Sequence, residues 1–161
     1  MKTNLMKNIL FTLALSLGLT LTAVSAPYEQ GQEMASFKAK DQHEQDFTLN
    51  IKETKFLLVS HDMETGKRAN AVLTEVGKES MEKQKAVYLA NIFGMPGIGR
   101  FFAFPKMRKY SHRIILGDDA ALIALFPVQQ GKVTVLALND GKISSIKYWN
   151  PGTDALDQFL K

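Results

Sequence analysis

One histidine and two carboxylates lie within His61–Asp62–Met63–Glu64, where a strand is expected to end and a helix to begin. An imidazole beside a carboxylate can act as an acid–base pair, and the first turn of a helix offers free N–H groups to a ligand. The same residues can instead complement the helix dipole, with Thr65 as the N-cap residue. We favour this structural role over catalysis by His61 with Asp62 or Glu64. We expect no metal site, because neighbours in one turn rarely converge and a further ligand such as His112 would have to come from elsewhere.

Two further histidines complete the set of imidazoles. His43 falls in the polar segment Lys40–Gln45, the expected tip of a hairpin, and we expect it to be an exposed loop residue. Ser111 and His112 suggest a nucleophile and its base, but no Gly-x-Ser-x-Gly motif surrounds them. Adjacent residues of a strand point to opposite faces, so we expect no hydrogen bond between these two side chains.

A segment rich in phenylalanine and basic residues follows a glycine-rich stretch. The glycines match neither a phosphate-binding loop nor a dinucleotide motif, because no Gly-Lys-Ser/Thr ending and no suitably spaced acidic residue accompany them. The spacing of Ile98, Phe101, Phe102 and Met107 predicts one apolar face of a helix, bent or divided at Pro105.

We expect the phenylalanines of this segment to be core residues. If they are instead exposed, they form with their basic neighbours a surface that could dock an envelope protein or an anionic membrane surface. The residues of this candidate partner-binding surface are Arg100, Phe101, Phe102, Lys106, Arg108 and Lys109.

Hydrophobic periodicity and turn residues predict the elements that position these groups. Lys55–Ser60 predicts a central strand covered on both faces, Gly66–Val76 an amphipathic helix, and Lys85–Phe93 a second buried strand. Gly117–Asp118–Asp119 and Asn139–Asp140–Gly141 each lie between apolar segments and predict two hairpins.

The chain is expected to close with a short helix over Asp154–Lys161, capped by Thr153. Together the elements predict an α/β sandwich in which a central mixed β-sheet is flanked by helices.

The first 25 residues differ in composition from the rest. A short basic segment containing Lys2 and Lys7 precedes the apolar run Ile9–Leu21 and a stretch of small residues. This order is typical of a secretory signal peptide, and the apolar run is too short to span a bilayer. We therefore expect residues 1–25 to be removed, the mature chain to begin at or near Ala26, and the protein to reside in the periplasm.

Composition bounds the remaining residues, 26–161. The whole chain is 45% hydrophobic and 22% charged, which is typical of a soluble protein, and we expect one domain with a sizeable core. Without the two lysines of the signal peptide, 18 basic and 16 acidic residues remain, a net charge of +2. That charge is too small to drive nucleic-acid binding. The chain has no cysteine, so lipid attachment at an N-terminal cysteine and disulfides are excluded.

The order of elements resembles the thioredoxin-like superfamily, in its peroxiredoxin-like and thiol-disulfide-reductase-like arrangements. The resemblance depends on the opening hairpin that ends in Asp46–Leu49, the strand–turn–helix of Phe56–Val76, and the last strand pair around Asn139–Asp140–Gly141 with its closing helix. It implies a thioredoxin-like sandwich over roughly Gly31 to Leu160.

The same resemblance implies that the usual reaction is absent. With Lys67 aligned to the lysine that often follows the redox motif, the two cysteine positions fall on Met63 and Gly66, and the position of the family's cis-proline falls near Val133. Neither Met63 nor Gly66 can form a thiolate, so the resemblance implies neither a thiol-disulfide oxidoreductase nor a peroxidase, and no cofactor.

A narrower resemblance concerns a YtfJ-type family of small periplasmic proteins. It is based on Ser60–His61, Asn70–Leu73, Met95–Gly97 and Tyr110–Arg113, and it implies a location and a fold more than an activity. We expect a redox-inactive binding or accessory protein of the cell envelope, which contacts a partner around His61–Gly66 or through the basic aromatic segment. The alternative is a non-redox enzyme that uses His61 with Asp62 or Glu64 as acid–base or metal-binding groups.

Overall fold

The structure, a computed structural model, describes residues 26–161, and the expected signal peptide lies outside these residues. They form a seven-stranded mixed sheet with helices on both faces, so the predicted α/β sandwich is confirmed. The strands are β1 (Lys38–Asp41), β2 (Asp46–Thr48), β3 (Phe56–Ser60), β4 (Ala86–Asn91), β5 (Ile115–Gly117), β6 (Val133–Asn139) and β7 (Lys142–Trp149). The helices are α1 (Met63–Val76), α2 (Lys78–Lys83), α3 (Gly97–Met107), α4 (Ala120–Ala124) and a 3₁₀ turn (Leu156–Gln158).

The strand order across the sheet is β2-β1-β5-β4-β3-β6-β7. Strands β3, β4 and β5 run parallel to one another, whereas β6 and β7 on one side and β1 and β2 on the other are antiparallel to their neighbours. The parallel connections are made through α1 and α2 and then through α3, so the carboxyl ends of the three central strands meet at one edge. In residues 26–161, no helix is long and apolar enough to cross a membrane.

Strand β3 is the centre of the core. All five of its residues are buried, because alternate side chains pack on opposite faces of the sheet. Leu58 belongs to the same buried cluster as Leu73 of α1 and Trp149, whereas Leu57 belongs to the cluster on the other face, with Phe126. The prediction of a central strand covered on both faces is confirmed.

The N-terminus of α1 differs from the prediction that Thr65 caps it. The helix begins at Met63, and its N-cap residue is Asp62. Asp62 Oδ1 accepts a hydrogen bond from Thr65 N (2.8 Å), and Asp62 Oδ2 accepts another from Thr65 Oγ1 (2.7 Å). Thr65 is therefore a donor to the cap and not the cap itself. Asp62, three residues earlier, supplies the acceptor oxygens, and aspartate is preferred to threonine at the N-cap position.

The hairpin predicted at Gly117–Asp118–Asp119 is wrong. Residue Asp119 is the N-cap of α4, and its carboxylate accepts hydrogen bonds from Ala121 N and Leu122 N. Strand β5 already has two neighbours, β1 and β4, so the segment that follows has no free edge on which to pair as a returning strand.

The second predicted hairpin is confirmed. Strands β6 and β7 pair antiparallel from Val133 to Trp149, and the turn residues Asp140 and Gly141 have φ values of 49° and 83°, which are typical of a type I′ turn.

The predicted closing helix over Asp154–Lys161, capped by Thr153, is wrong. This segment forms only the 3₁₀ turn, which has no side-chain cap. Asp154 instead closes a turn, since its carboxylate accepts from Asn150 N (3.1 Å) and its carbonyl accepts from Trp149 Nε1 (2.9 Å).

Candidate functional site

Two polar residues, His61 and Asn91, lie at the carboxyl ends of β3 and β4. His61 directly follows β3, and Asn91 ends β4. Asn91 Nδ2 donates to the His61 carbonyl (3.0 Å), and Asn91 Oδ1 accepts from Phe93 N (2.9 Å). The two strand ends are thereby fixed at the edge of the sheet where open α/β folds bind their ligands.

The imidazole of His61 is held in one tautomer. Thr134 Oγ1 donates its single proton to the Pro127 carbonyl (2.6 Å), so it can only accept from His61 Nε2, which lies 3.0 Å away. His61 Nδ1 is therefore the unprotonated nitrogen, and it is enclosed without a partner. Burial lowers the pKa of His61, although the nearby Asp62 acts in the opposite direction. The result is a neutral imidazole whose free lone pair faces protein rather than solvent.

The two carboxylates predicted beside His61 have other partners. Asp62 caps α1, and although burial acts to raise its pKa, the hydrogen bonds from Thr65 lower that pKa below its ordinary value. Glu64 pairs with Lys67 (2.7 Å) at the surface. Neither carboxylate therefore orients the imidazole. Among residues 26–161, no three His, Cys, Asp or Glu side chains converge as a metal site would require.

The positions that the resemblance assigned to the two cysteines lie at the start of α1. Met63 is the first residue of the helix and is 55% exposed, whereas Gly66 is buried one turn later. A Cβ added at Gly66 would lie 3.5 Å from Ser60 Oγ and 3.7 Å from Tyr88 OH. The assignment of Met63 and Gly66 to the two cysteine positions stays a prediction.

A cavity of about 330 Å³ opens beside Met63, between α1 and α3 and over the ends of β3 and β4. Its floor is polar: Ser60 Oγ and Tyr88 OH lie 2.8 Å apart, and both residues are buried. Burial raises the pKa of Tyr88, so its hydroxyl stays protonated. Sequence reasoning missed this pair, although strand alternation places Tyr88 and Ala90 on the α1 side of the sheet.

His112 lies behind the cavity wall rather than on a strand. Residues Ser111 and His112 form a bend before β5, so the prediction that they are adjacent strand residues is wrong. The imidazole of His112 is 1% exposed, and its Nε2 donates to Asn70 Oδ1 (2.9 Å). Burial lowers the pKa of His112 to about 4. His112 thus orients the amide of Asn70, which lines the cavity.

Two other predicted positions lie apart from the cavity. Val133, assigned to the position of the cis-proline, begins β6, is fully buried and pairs with Trp149. Its neighbour Thr134 is the residue that contacts His61. His43 lies in the exposed turn between β1 and β2, as expected.

The expectation that the phenylalanines of α3 are core residues is wrong for two of them. Phe101 is 71% exposed and Phe102 is 61% exposed, and their rings pack edge to face 5.3 Å apart. Ile98, one turn earlier, is 69% exposed. Met107 is the one buried residue of α3, and the helix continues to it through Pro105, so Pro105 does not divide the helix.

The basic residues of this segment fall into two groups. Arg100 donates two hydrogen bonds to the Asp118 carboxylate, and Arg108 Nη2 donates to Glu44 (3.1 Å). These two arginines tie α3 to the rest of the fold. Lys106 and Lys109 are exposed, and neither forms an ion pair within the part of the chain that the structure describes.

Solved structures of thioredoxin and peroxiredoxin-like proteins share this arrangement of strands and helices. The thioredoxin domain of a thiol-disulfide oxidoreductase from Bacteroides vulgatus aligns with a TM-score of 0.56 over 83% of this chain and 99% of that domain, at 12% identity. The protein has the thioredoxin-like fold. An exposed lipoprotein thioredoxin from Streptococcus pneumoniae aligns with a TM-score of 0.57 over 78% of this chain and 98% of that one, at 15% identity.

A peroxiredoxin-like protein from Aquifex aeolicus also shares the thioredoxin-like fold, with a TM-score of 0.54 over 85% of this chain and 86% of that one, at 10% identity. The chain matches no protein-family model and no curated protein sequence. Because its 161 residues include no cysteine, this thioredoxin-like chain has no thiolate with which to exchange disulfides or reduce peroxides. Membership of the YtfJ-type family stays a prediction.

Proposed function

We propose that this chain is a redox-inactive, thioredoxin-like binding protein of the bacterial envelope, and that it docks a protein partner through α3. The docking surface, which we call the α3 face, consists of the exposed residues Met63, Ile98, Phe101 and Phe102, bordered by Lys106 and Lys109. The single observation that carries the proposal is the exposure of large apolar side chains on this helix.

These side chains form one patch rather than scattered exposed residues. Ile98, Phe101 and Phe102 have the i, i+3, i+4 spacing that places side chains on the same side of a helix. Phe102 and Met63 line the same cavity, so the patch continues across its mouth to the start of α1. A contiguous apolar patch with a polar border is typical of a protein–protein interface, and aromatic side chains contribute most of the binding energy in such interfaces.

The charges of the α3 face favour a protein partner with an acidic border. Lys106 and Lys109 are available to pair across an interface, whereas Arg100 and Arg108 are already bound to acidic residues of this chain. Each basic residue near an anionic membrane surface contributes about 1 kcal/mol, so two lysines contribute about 2 kcal/mol, which is weak anchoring. We therefore propose that the partner of the α3 face is a protein rather than a lipid surface.

Export to the periplasm is part of the proposal. It is based on the basic, apolar and small-residue order of residues 1–25, and on a folded unit that can be stable without disulfides. We expect the N-terminal sequence of the protein recovered from the periplasmic fraction of the bacterium that encodes it to begin at or near Ala26. Recovery of the intact N-terminus from the cytoplasm would contradict it.

The docking proposal is tested by photo-crosslinking in cells. A benzophenone amino acid replaces Phe101, or Ser144 on the edge strand β7 as the control position, since Ser144 is also exposed. We expect a discrete protein adduct from Phe101 and none from Ser144. The second substitution Phe102→Ser should decrease the yield from Phe101, whereas Val128→Ser, which removes another exposed apolar side chain, should leave it unchanged.

Two results would contradict the docking proposal. The first is a yield of protein adducts at Phe101 no greater than at Ser144, which would mean that the α3 face has no partner. The second is an adduct with lipid and none with protein, which would identify a membrane-binding surface instead.

The enzymatic alternative receives less support from the geometry. His61 Nδ1 is enclosed, His61 Nε2 donates to Thr134, and Asp62 caps a helix. An acid–base pair needs a nitrogen within hydrogen-bonding reach of a substrate, and the described arrangement offers none at His61.

A further inference from the structure

The cavity between α1 and α3 has an apolar wall. Ile92 and Met107 are buried, and Met95 packs against the same core. Two of these three residues are methionines, whose unbranched side chains adapt to ligands of different shape. A volume of about 330 Å³ is at the lower end of the range of small-molecule sites.

The floor of the cavity has a hydrogen-bond donor with no acceptor. Ser60 and Tyr88 each have one hydroxyl proton, but only one of these protons can lie between the two oxygens. Neither hydroxyl makes any other hydrogen bond with residues 26–161. Whichever residue donates in the pair, the proton of the other is left over, and both residues line the cavity.

A second unused donor lies on the wall formed by α1. Asn70 is 93% buried, and its Oδ1 accepts from His112 Nε2. Its Nδ2 has no hydrogen-bond partner in the described part of the chain, and it is not among the fully enclosed unpartnered atoms. The amide nitrogen of this cavity-lining residue is therefore open to a ligand, held in place by a neutral histidine.

The charged residues at the rim of the cavity also favour a ligand that is negatively charged and accepts hydrogen bonds. Lys106 lines the cavity and has no ion-pair partner in the described region. Asp62 is the one carboxylate among the described lining residues, and both of its oxygens accept from Thr65. The side chains that line the cavity thus offer unused donors and a cation, but no unused carboxylate.

We propose that this cavity binds a small aliphatic carboxylate. The carboxylate would accept from the hydroxyl pair Ser60–Tyr88 and from Asn70 Nδ2, with Lys106 supplying the compensating charge. The alkyl chain would pack on Ile92 and the two methionines. The mouth of this site shares Met63, Phe102 and Lys106 with the α3 face, whereas its polar floor lies below that face, and binding of the carboxylate does not depend on the proposed partner.

Titration of the mature protein, which begins at or near Ala26, with octanoate tests this inference. Binding is measured by calorimetry and by chemical-shift changes of backbone amides, with octanol and octylamine as ligands of the same chain length. We expect octanoate to bind and to shift the amides of Ser60, Asn70 and Ala90. We expect octanol and octylamine to bind at least about tenfold more weakly, because they lack the charged acceptor.

Variants of the chain distinguish the site from surface adsorption. Lys106→Gln should weaken octanoate binding about fivefold, whereas Lys109→Gln, in the turn that follows the same helix and outside the cavity, should leave it unchanged. The double variant Ser60→Ala/Tyr88→Phe removes both hydroxyls together, leaves neither unpaired, and should weaken binding about fivefold or more. Urea unfolding establishes that each variant is folded, and the two lysine variants decide the outcome if the double variant is not.

Three results would overturn the inference. Octanol or octylamine could bind as tightly as octanoate. The shifts could be confined to Ile98 and Phe101, which are exposed and do not line the cavity, and this would indicate adsorption to the α3 face. Octanoate could also cause neither heat nor shifts at millimolar concentration.

Discussion

His112 makes the stability of this protein depend on pH. Burial lowers the pKa of its imidazole to about 4, from an ordinary value of 6.5. The unfolded chain therefore binds a proton at His112 below about pH 6.5, and the folded chain does so only near pH 4. Its contribution to the free energy of unfolding is fully present above pH 6.5 and is lost as the pH falls toward 4. A shift of this size corresponds to about 3 kcal/mol in total, of which about 2 kcal/mol is lost by pH 5.

The immediate surroundings of His112 explain the direction of this effect. Its ring stacks on Tyr110 and packs edge to face with Tyr88, and its Nε2 donates to Asn70. None of these three partners carries a negative charge, so none stabilises an imidazolium. The other ring nitrogen, Nδ1, is enclosed and has no acceptor for a second proton.

An NMR titration of the imidazole of His112 measures its pKa directly, and urea unfolding at pH 7 and pH 5 measures its consequence. We expect His112→Gln to decrease the loss of stability between these pH values by about 2 kcal/mol. His43→Gln is the matched control, because His43 is exposed and should leave the pH dependence unchanged. His61 contributes in the same direction, so part of the dependence will persist. A pKa for His112 at or above 6 in the folded protein would refute this reasoning.

Four further outcomes are expected. The double substitution Phe101→Ser/Phe102→Ser should change the free energy of unfolding in urea by no more than about 1.5 kcal/mol, mainly through loss of the contact between the two rings. Phe126→Ala, in the core, should decrease it by about 3–5 kcal/mol. Equal losses of stability would place the α3 phenylalanines in the core. Asp62→Ala should cost about 1 kcal/mol at pH 7 by removing the cap, and because capping lowers the pKa of this carboxyl, the difference from wild type should shrink as the pH falls below about 4. Gly141→Ala should cost about 1–2 kcal/mol, since φ is 83° there, and thermal unfolding should show a lower midpoint. Insulin reduction and peroxide consumption should not exceed the background rate, because the chain has no thiolate.

The elements that were predicted correctly are those fixed by local sequence. The apolar run of β3 required cover on both faces, and Asn139–Asp140–Gly141 supplied residues suited to the positive φ angles of a tight turn. The hairpin expected at Gly117 failed because an aspartate followed by alanines fits a helix cap as well as a turn. That choice was decided by β5, which already had a neighbour on each side.

The cavity opens at the junction where sequence reasoning placed its candidate site, and the function of that site stays a prediction. Sequence reasoning placed it at the junction of β3 and α1, where Met63 and Gly66 do lie on the first turn of the helix. It identified His61, Asp62 and Glu64 as the chemical groups, whereas in the structure His61 hydrogen-bonds to Thr134, Asp62 caps α1 and Glu64 pairs with Lys67 at the surface. The polar floor of the cavity was missed because its residues are far apart in the chain.

These 161 residues include no cysteine, so composition excludes a thiolate among them. Hydrophobic periodicity, which is a local property, places the central strands. Long-range packing places Tyr88 against Ser60 and His112 against Asn70, and it leaves Phe101 uncovered. No local pattern predicts this outcome, because an apolar helical face has the same sequence whether or not another element packs on it. Contacts between residues 28 or 42 positions apart exist only once the sheet has brought them together.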